Sequence, residues 1–101
     1  MFEFNPSLRS LYTGRLSAHP RVAIDDAALI PAAVAIVVTK STHNDEACFL
    51  LTRRAKGLAR HSGQYALPGG RLEPDESTET AALRELKEEL GLTASTSQVA
   101  G

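Results

Sequence analysis

The pattern of apolar and polar positions along the chain predicts several strands followed by one amphipathic helix. Residues 32–39 are small or β-branched and lie between a proline and a polar loop, which predicts a buried strand. Residues 47–54 predict a second strand, and the polar loop between the two predicts a hairpin. A third, short strand is predicted over 64–67, where it leads into Gly69 and Gly70.

The segment 77–90 has the composition of a helix, since it contains helix-forming residues and lacks both Gly and Pro. Asp75 or Ser77 can cap its first turn, because a short polar side chain accepts hydrogen bonds from the free amides there. Gly91 is typical of a left-handed helix stop. A helix is therefore predicted over 77–90.

At about 100° per residue this helix divides into two faces. Three leucines form an apolar stripe, and three glutamates share the opposite side with the small residues Thr78 and Ala81. The leucines are Leu83, Leu86 and Leu90, and the glutamates are Glu85, Glu88 and Glu89. Like charges on adjacent turns repel one another, and Arg84 is placed to pair with one of the three. A solvated acidic face is one interpretation of this pattern.

Residues 1–31 are interpreted as an N-terminal arm with a connector. Within 4–16, apolar residues recur at helical spacing after Asn5-Pro6, which is compatible with a short helix, although a peripheral arm is the favoured interpretation. Residues 17–31 contain two prolines and suit a connector. The domain itself is predicted to begin at residue 32.

Composition narrows the class of protein. With 101 residues, 43% hydrophobic positions and a net charge of −1, the chain has the composition of one small globular domain. The balanced charge disfavours nucleic-acid and membrane-surface partners. The longest apolar run, 27–38, is shorter than the about 20 residues that span a bilayer, and no secretory signal is visible. The single cysteine, Cys48, excludes an internal disulfide, so a cytoplasmic location is expected.

Several isolated polar residues receive ordinary structural interpretations. Cys48 lies in the second predicted strand and is expected to be a packed thiol. His19 and His43 are expected on surface loops. For His61 and Tyr65, the sequence leaves open whether they contact substrate or only pack.

The candidate chemistry lies in the helix and in the segments before it. Carboxylates and backbone carbonyls form the oxygen ligand set that Mg²⁺ or Mn²⁺ prefers. Gly69 and Gly70 permit close backbone approach and unusual dihedral angles just before the helix. In the basic segment 53–61, Arg54 and Arg60 are the best candidates for phosphate contact, because a guanidinium donates two hydrogen bonds. Hydrolysis of a polyphosphate requires carboxylates that bind a metal ion and, facing them, basic side chains that bind the phosphates.

Gly70, Glu76 and the run 84–92 lie at the spacing Gly-x5-Glu-x7-Arg-Glu-U-x-Glu-Glu-x-Gly-U, in which U is aliphatic. Every defined position of the Nudix box is thus present over 70–92, and the chain resembles Nudix hydrolases. The resemblance implies an α/β fold, an α/β/α sandwich around a mixed sheet. Residues 32–101 resemble the N-terminal portion of that domain, incomplete at the C-terminus.

The resemblance also implies a role for each matched residue. Mg²⁺ or Mn²⁺ would be bound by Glu85, Glu88, Glu89 and the carbonyl of Gly69. Arg84 would orient a metal-binding glutamate. Glu76 would brace the junction between loop and helix, although a charge favoured by the helix N-terminus is an equal alternative. Arg54, Arg60 and Gly70 are assigned to substrate contact.

A second resemblance lies upstream of the box. The residues 50–55, Gly63 and 67–70 are similar to the coenzyme A pyrophosphatase motif Leu-Leu-Thr-x-Arg-Ser-x3-Arg-x3-Gly-x3-Phe-Pro-Gly-Gly. The chain departs from this motif at Ala55, Ala59 and Leu67. The implied substrate is a nucleoside diphosphate linked to another moiety, with coenzyme A-like molecules favoured.

Three other functions stay open at this point. An ADP-sugar or a nucleoside triphosphate could be the substrate, or the domain could bind a ligand without turnover. The intact box argues against the last of these. Since the Nudix fold needs more residues than follow Gly91, the chain is expected to be a fragment, with a homodimer that completes the sheet as the alternative.

Overall fold

The computed structural model describes residues 2–53 and 63–101. The predicted phosphate-contact residues Arg54 and Arg60, as well as His61, lie outside the described residues. Within those ranges, none of the helices is long and apolar enough to cross a membrane. In chain order the elements are α1 (Pro6–Ala18), β1 (Ala32–Val34), β2 (Val38–Lys40), β3 (Ala47–Phe49), β4 (Thr52–Arg53), β5 (Tyr65–Ala66), β6 (Gly69–Arg71), α2 (Thr78–Leu90) and a 3-10 helix (Thr96–Gln98).

The described strands form three antiparallel pairs: β1 with β6, β2 with β3, and β4 with β5. The predicted hairpin is confirmed, because Val38 lies opposite Phe49 and Lys40 opposite Ala47. The predicted strand over 32–39 is divided between β1 and β2. Its two halves pair with different partners, β1 with β6 and β2 with β3.

The predicted burial of this strand region is wrong. Ile36 is 70% exposed and Val34 is 60% exposed. The free thiol of Cys48 in β3 is also exposed rather than packed. A β-branched run favours the extended backbone, but burial needs a second layer, and the described parts of the chain place none over these side chains.

Within the N-terminal arm the short helix that the sequence left open is present as α1. The side chain of Asn5 accepts a hydrogen bond from the Leu8 amide at 3.0 Å, and Pro6 occupies the first turn, where its missing N–H costs nothing. The Arg9 guanidinium donates to the Ser97 carbonyl at 2.6 Å. Leu8 is buried, so α1 docks through a small contact area and leaves the connector exposed.

Helix α2 is the best-packed element and begins and ends where the sequence predicts. The Ser77 side chain accepts from the Thr80 amide at 3.1 Å, which identifies the cap. Gly91 adopts φ 68°, the left-handed conformation that stops the helix. The helix packs on β1 and β6, where Ala81 and Leu86 are buried.

Candidate active site

The packing of α2 places Glu85 against the sheet. Ala81 is fully buried and Leu86 nearly so, and at about 100° per residue Glu85 lies between them on the helix surface. The Glu85 side chain is accordingly only 17% exposed, whereas that of Glu88 is 56% exposed. The predicted division of the helix into an apolar face and an opposite glutamate face is therefore wrong for Glu85 and Ala81. The cause is that a small alanine lets the sheet approach on the glutamate side.

The glycine pair of β6 makes room for this arrangement. A Cβ added to Gly70 would lie 2.5 Å from Oε1 of Glu85, so a side chain there would displace that carboxylate from its present position. A Cβ on Gly69 would collide with the Ala33 carbonyl and lie 2.6 Å from Cα of Val34 in β1. Close approach is thus confirmed. The predicted unusual dihedral angles are not found, because both residues sit in a regular strand and the left-handed glycines of the described chain are Gly63 and Gly91.

Arg84 holds the acidic residues of the site together. Its Nε and Nη2 donate to the two carboxylate oxygens of Glu76, at 2.8 and 2.9 Å. Such a two-point pair fixes both side chains in one geometry. Nη2 also donates to the Arg71 carbonyl at 3.2 Å, which ties the helix to the end of β6.

The same guanidinium contacts two glutamates of the helix, not one as the sequence suggested. Nη1 donates to Oε1 of Glu85 at 3.1 Å and to Oε2 of Glu88 at 3.2 Å. Glu73 adds a longer ion pair at 3.8 Å. Sequence reasoning missed Glu73, although its position three residues before Glu76 was a signal for a shared turn.

Glu76 lies at the junction between the loop and the helix. Its side chain is 9% exposed, and it accepts a hydrogen bond from the Glu73 amide at 3.0 Å. The hydrogen bonds from Arg84 and from this amide lower the pKa of Glu76 to about 2. The same contacts raise the pKa of Arg84 above its ordinary value. This carboxylate is therefore ionised and engaged at neutral pH.

The side chains that could hold a divalent cation are only partly gathered. Glu85 and Glu88 meet at one nitrogen of Arg84, and carboxylate oxygens are suitable donors for Mg²⁺ or Mn²⁺. Glu89 lies on the exposed side of α2. Across residues 2–53 and 63–101, no three acidic, histidine or cysteine side chains converge as a metal-binding group. The donor chemistry of Glu85 and Glu88 thus fits a hard cation.

The remaining described candidates are exposed side chains. His19 and His43 are exposed, as predicted. Tyr65 is 67% exposed on β5, and the guanidinium of Arg53 lies over its ring. Arg53 also donates from Nε to the Gly63 carbonyl at 3.2 Å, so the described residues on either side of 54–62 are in contact.

Comparison with known proteins gives a consistent result. The NUDIX domain family matches residues 29–101. Nudix hydrolase 3 of Caenorhabditis elegans is 35% identical over 94 residues, which are 93% of this chain and 38% of that protein. The uncharacterized Nudix hydrolase NudL of Yersinia pestis (strain Pestoides F) is 49% identical over 57 residues, 55% of this chain and 29% of that protein. The chain thus spans well under half the length of these relatives.

Two solved structures are similar in fold. RenU, a Nudix hydrolase from M. smegmatis, gives a TM-score of 0.53 at 33% identity over 62% of this chain and 39% of that one. A MutT/nudix family protein from Enterococcus faecalis gives a TM-score of 0.58 over 94% of this chain and 39% of that one, at 22% identity. These likenesses confirm the predicted α/β fold of the Nudix type. On the family match and the intact box, the chain belongs to the NUDIX domain family.

Proposed function

We propose that the whole protein is a divalent-metal-dependent hydrolase that cleaves the pyrophosphate bond of a nucleoside diphosphate linked to another moiety. The observation that carries this proposal is the contact of one guanidinium, that of Arg84, with Glu76, Glu85 and Glu88. Such an arrangement orients several carboxylates in one place, which a metal-dependent hydrolase needs. A substrate of this class is a small molecule, and the balanced charge and single cysteine support a cytoplasmic protein.

In this proposal each residue has a distinct task. Glu85, Glu88, Glu89 and the Gly69 carbonyl would hold Mg²⁺ or Mn²⁺, which supplies Lewis-acid stabilisation of phosphoryl charge when bound. Arg84 orients Glu85 against Gly70, and Glu76 in turn fixes Arg84.

Phosphate contact would come from the basic segment. We assign Arg54 and Arg60 to the diphosphate oxygens, because a guanidinium matches phosphate with two parallel hydrogen bonds. The absence of a side chain at Gly70 supports its assignment to the substrate side of the site, since a Cβ there would displace Glu85.

Among substrates, we propose coenzyme A-like molecules first. The support is the upstream motif over 50–70, with its departures at Ala55, Ala59 and Leu67. Because of these departures we expect detectable but not exclusive coenzyme A cleavage. The measurement is kcat/KM for coenzyme A against ADP-ribose on the full-length protein, since this ratio reports differential transition-state binding. A coenzyme A value more than about a hundredfold below that for ADP-ribose, roughly 2.7 kcal/mol, would place ADP-sugars first.

A second function is favoured by one observation. Because Glu85 and Glu88 both accept hydrogen bonds from Arg84, which competes with a cation for their oxygens, a ligand-binding module without turnover is the competing proposal. Calorimetric titration with Mn²⁺ separates the two. For a hydrolase we expect binding that weakens as pH falls in the acidic range, because the carboxylates must be ionised. A folded protein that binds no Mn²⁺ supports the module.

The decisive variants are Glu85→Gln and Glu89→Gln in the full-length protein. Each keeps the shape of the side chain and removes one charge, so we expect an intact fold and a kcat at least about a hundredfold lower. Glu79→Gln is the matched control, because Glu79 is an exposed glutamate in the first turn of the same helix. If either test variant turns over substrate as fast as this control at saturating Mg²⁺, the metal assignment is wrong.

A further inference from the structure

The pair of Arg53 and Tyr65 forms a feature that the proposed phosphate chemistry does not use. The two residues are register partners on β4 and β5, so their side chains project from the same face of the pair. Cζ of Arg53 lies 5.6 Å from the centre of the Tyr65 ring, within the range of a cation–π contact. Tyr65 is nevertheless 67% exposed. One face of the ring is covered by the guanidinium, and the other is accessible.

The pair is held in place by its neighbours. Nε of Arg53 donates to the Gly63 carbonyl at 3.2 Å, which fixes the orientation of the guanidinium. The Thr52 hydroxyl donates to the Ala66 carbonyl at 3.0 Å, which reinforces the strand pair. Within residues 2–53 and 63–101, Arg53 forms no ion pair with a carboxylate. The described acidic residues therefore leave its charge available to an anion.

The position of Tyr65 along the chain connects it to the glutamate cluster. Strand β5 continues through the fully buried Pro68 into β6, whose Gly70 lies against Glu85. Tyr65 and Gly69 are four positions apart, which is at most about 14 Å of extended chain. This reach is on the scale of a nucleoside diphosphate. A planar group stacked on Tyr65 would thus keep its phosphates within range of the cluster.

We propose that Tyr65 and Arg53 form the stacking platform for the nucleobase of the substrate. An aromatic ring stacks on any base through its π face, and the cation behind the ring strengthens the contact and attracts the adjacent phosphate. The inference rests on the proposed function for the identity of the ligand as a nucleotide. It adds the residues that bind the end of the substrate remote from the reacting bond.

Intrinsic fluorescence tests this platform directly. The 101 residues contain two tyrosines, Tyr12 and Tyr65, so quenching that is present in the unsubstituted protein and lost in a Tyr65→Leu variant reports on Tyr65. We would titrate both full-length proteins, without metal, with AMP and separately with ribose 5-phosphate, which lacks the base. Stacking predicts saturable quenching by AMP and none by ribose 5-phosphate. Equal effects of the two ligands, or no quenching at all, would overturn the proposal.

Substitutions give a second, independent readout. AMP affinity measured by calorimetry should fall at least tenfold in Tyr65→Leu and stay within about twofold of the unsubstituted protein in Tyr65→Phe. In Arg53→Gln it should fall, but by less than in Tyr65→Leu. Ribose 5-phosphate affinity should not respond to either change at Tyr65. If the pair only joins the strands, Tyr65→Leu lowers thermal stability and leaves the preference for AMP over ribose 5-phosphate unchanged, which contradicts the proposal.

The design separates this inference from the proposed function. AMP binding requires neither metal nor hydrolysis, so Glu85→Gln should bind AMP as the unsubstituted protein does. Base-dependent quenching without any turnover would refute the hydrolase and leave the platform standing. Turnover with equal kcat/KM in Tyr65→Leu and in Tyr65→Phe would refute the platform alone.

Discussion

Two regions of the molecule both contain apolar residues and differ in packing. In the helix–strand unit of α2, β1 and β6, Ala81 and Leu86 are buried, as is Pro68 just before β6. In the β2–β3 hairpin, Phe49 and Cys48 are exposed, although both residues are hydrophobic. Helix α2 packs on the β1–β6 pair, and no helix of the described residues encloses Phe49 or Cys48.

The comparison shows that burial depends on the partner surface more than on hydrophobicity. In the helix–strand unit, the glycines of β6 and the small Ala81 allow backbone and helix to meet closely, so that even the charged Glu85 is enclosed. A carboxylate in that position needs a partner, and Arg84 supplies it. The helix–strand unit is therefore stabilised by side-chain packing together with ion pairs, whereas the hairpin is stabilised mainly by the hydrogen bonds between its two strands.

The largest expected effect is a contrast between two leucines. Leu86→Ala removes a side chain that is 4% exposed in the helix–strand unit, so the free energy of unfolding should fall by about 2–5 kcal/mol. Leu51→Ala is the matched substitution just after the hairpin, where the residue is 49% exposed, and we expect a loss below about 1 kcal/mol. Urea unfolding of both variants measures the difference. Equal losses would show that the hairpin region is as well packed as the helix.

The same contrast explains which parts of the fold the sequence could predict. The bounds of α2 follow from local chemistry, a serine cap and a left-handed glycine, and both are found. The hairpin follows from two extended runs around a polar loop and is also found. The exposure of Val34 and Cys48 could not be predicted, because it depends on which face of each strand another layer covers, and the sequence of the strand does not describe that layer.

The candidate site was predictable in its residues more than in its contacts. The spacing of the box identified Glu76, Arg84 and Glu85 together. Periodicity alone placed Glu85 opposite the apolar stripe, since a helical wheel cannot show that the strand beneath is glycine. Nor could it show that Arg84 contacts two helix glutamates and also the end of β6, because these contacts depend on how the loop returns to the helix.

The second expected effect is a pH dependence specific to the helix–strand unit. The pKa of Glu76 is about 2 in the folded protein, below its ordinary value of 4.5. The folded state therefore binds the proton less readily than the unfolded one. The resulting stability is fully present above about pH 4.5 and is lost as pH falls toward 2.

Glu76→Gln should remove this part of the acid sensitivity, so its unfolding midpoint in urea should fall less between pH 5 and pH 2.5 than that of the unsubstituted protein. Asp45→Asn is the control in the hairpin, because the pKa of Asp45 is also lowered, by its ion pair with Lys40. That pair is exposed and screened by solvent, so Asp45→Asn should change the fall in the unfolding midpoint between pH 5 and pH 2.5 very little. Parallel profiles for Glu76→Gln and the unsubstituted protein would show that Arg84 does not hold an ionised Glu76.

The smallest expected effect is on the exposed thiol of the hairpin. Cys48→Ser should change the free energy of unfolding by no more than about 0.5 kcal/mol, because the side chain has no buried contacts to lose. In the unsubstituted protein, the rate at which a thiol-specific reagent modifies Cys48 under native conditions should lie within about tenfold of the rate in the urea-unfolded protein. A thiol packed in a core reacts only when the structure opens, and its rate then falls with the population of the open state. Protection of Cys48 by a factor of a thousand would therefore mean that the hairpin face is covered, and the contrast with the helix–strand unit would disappear.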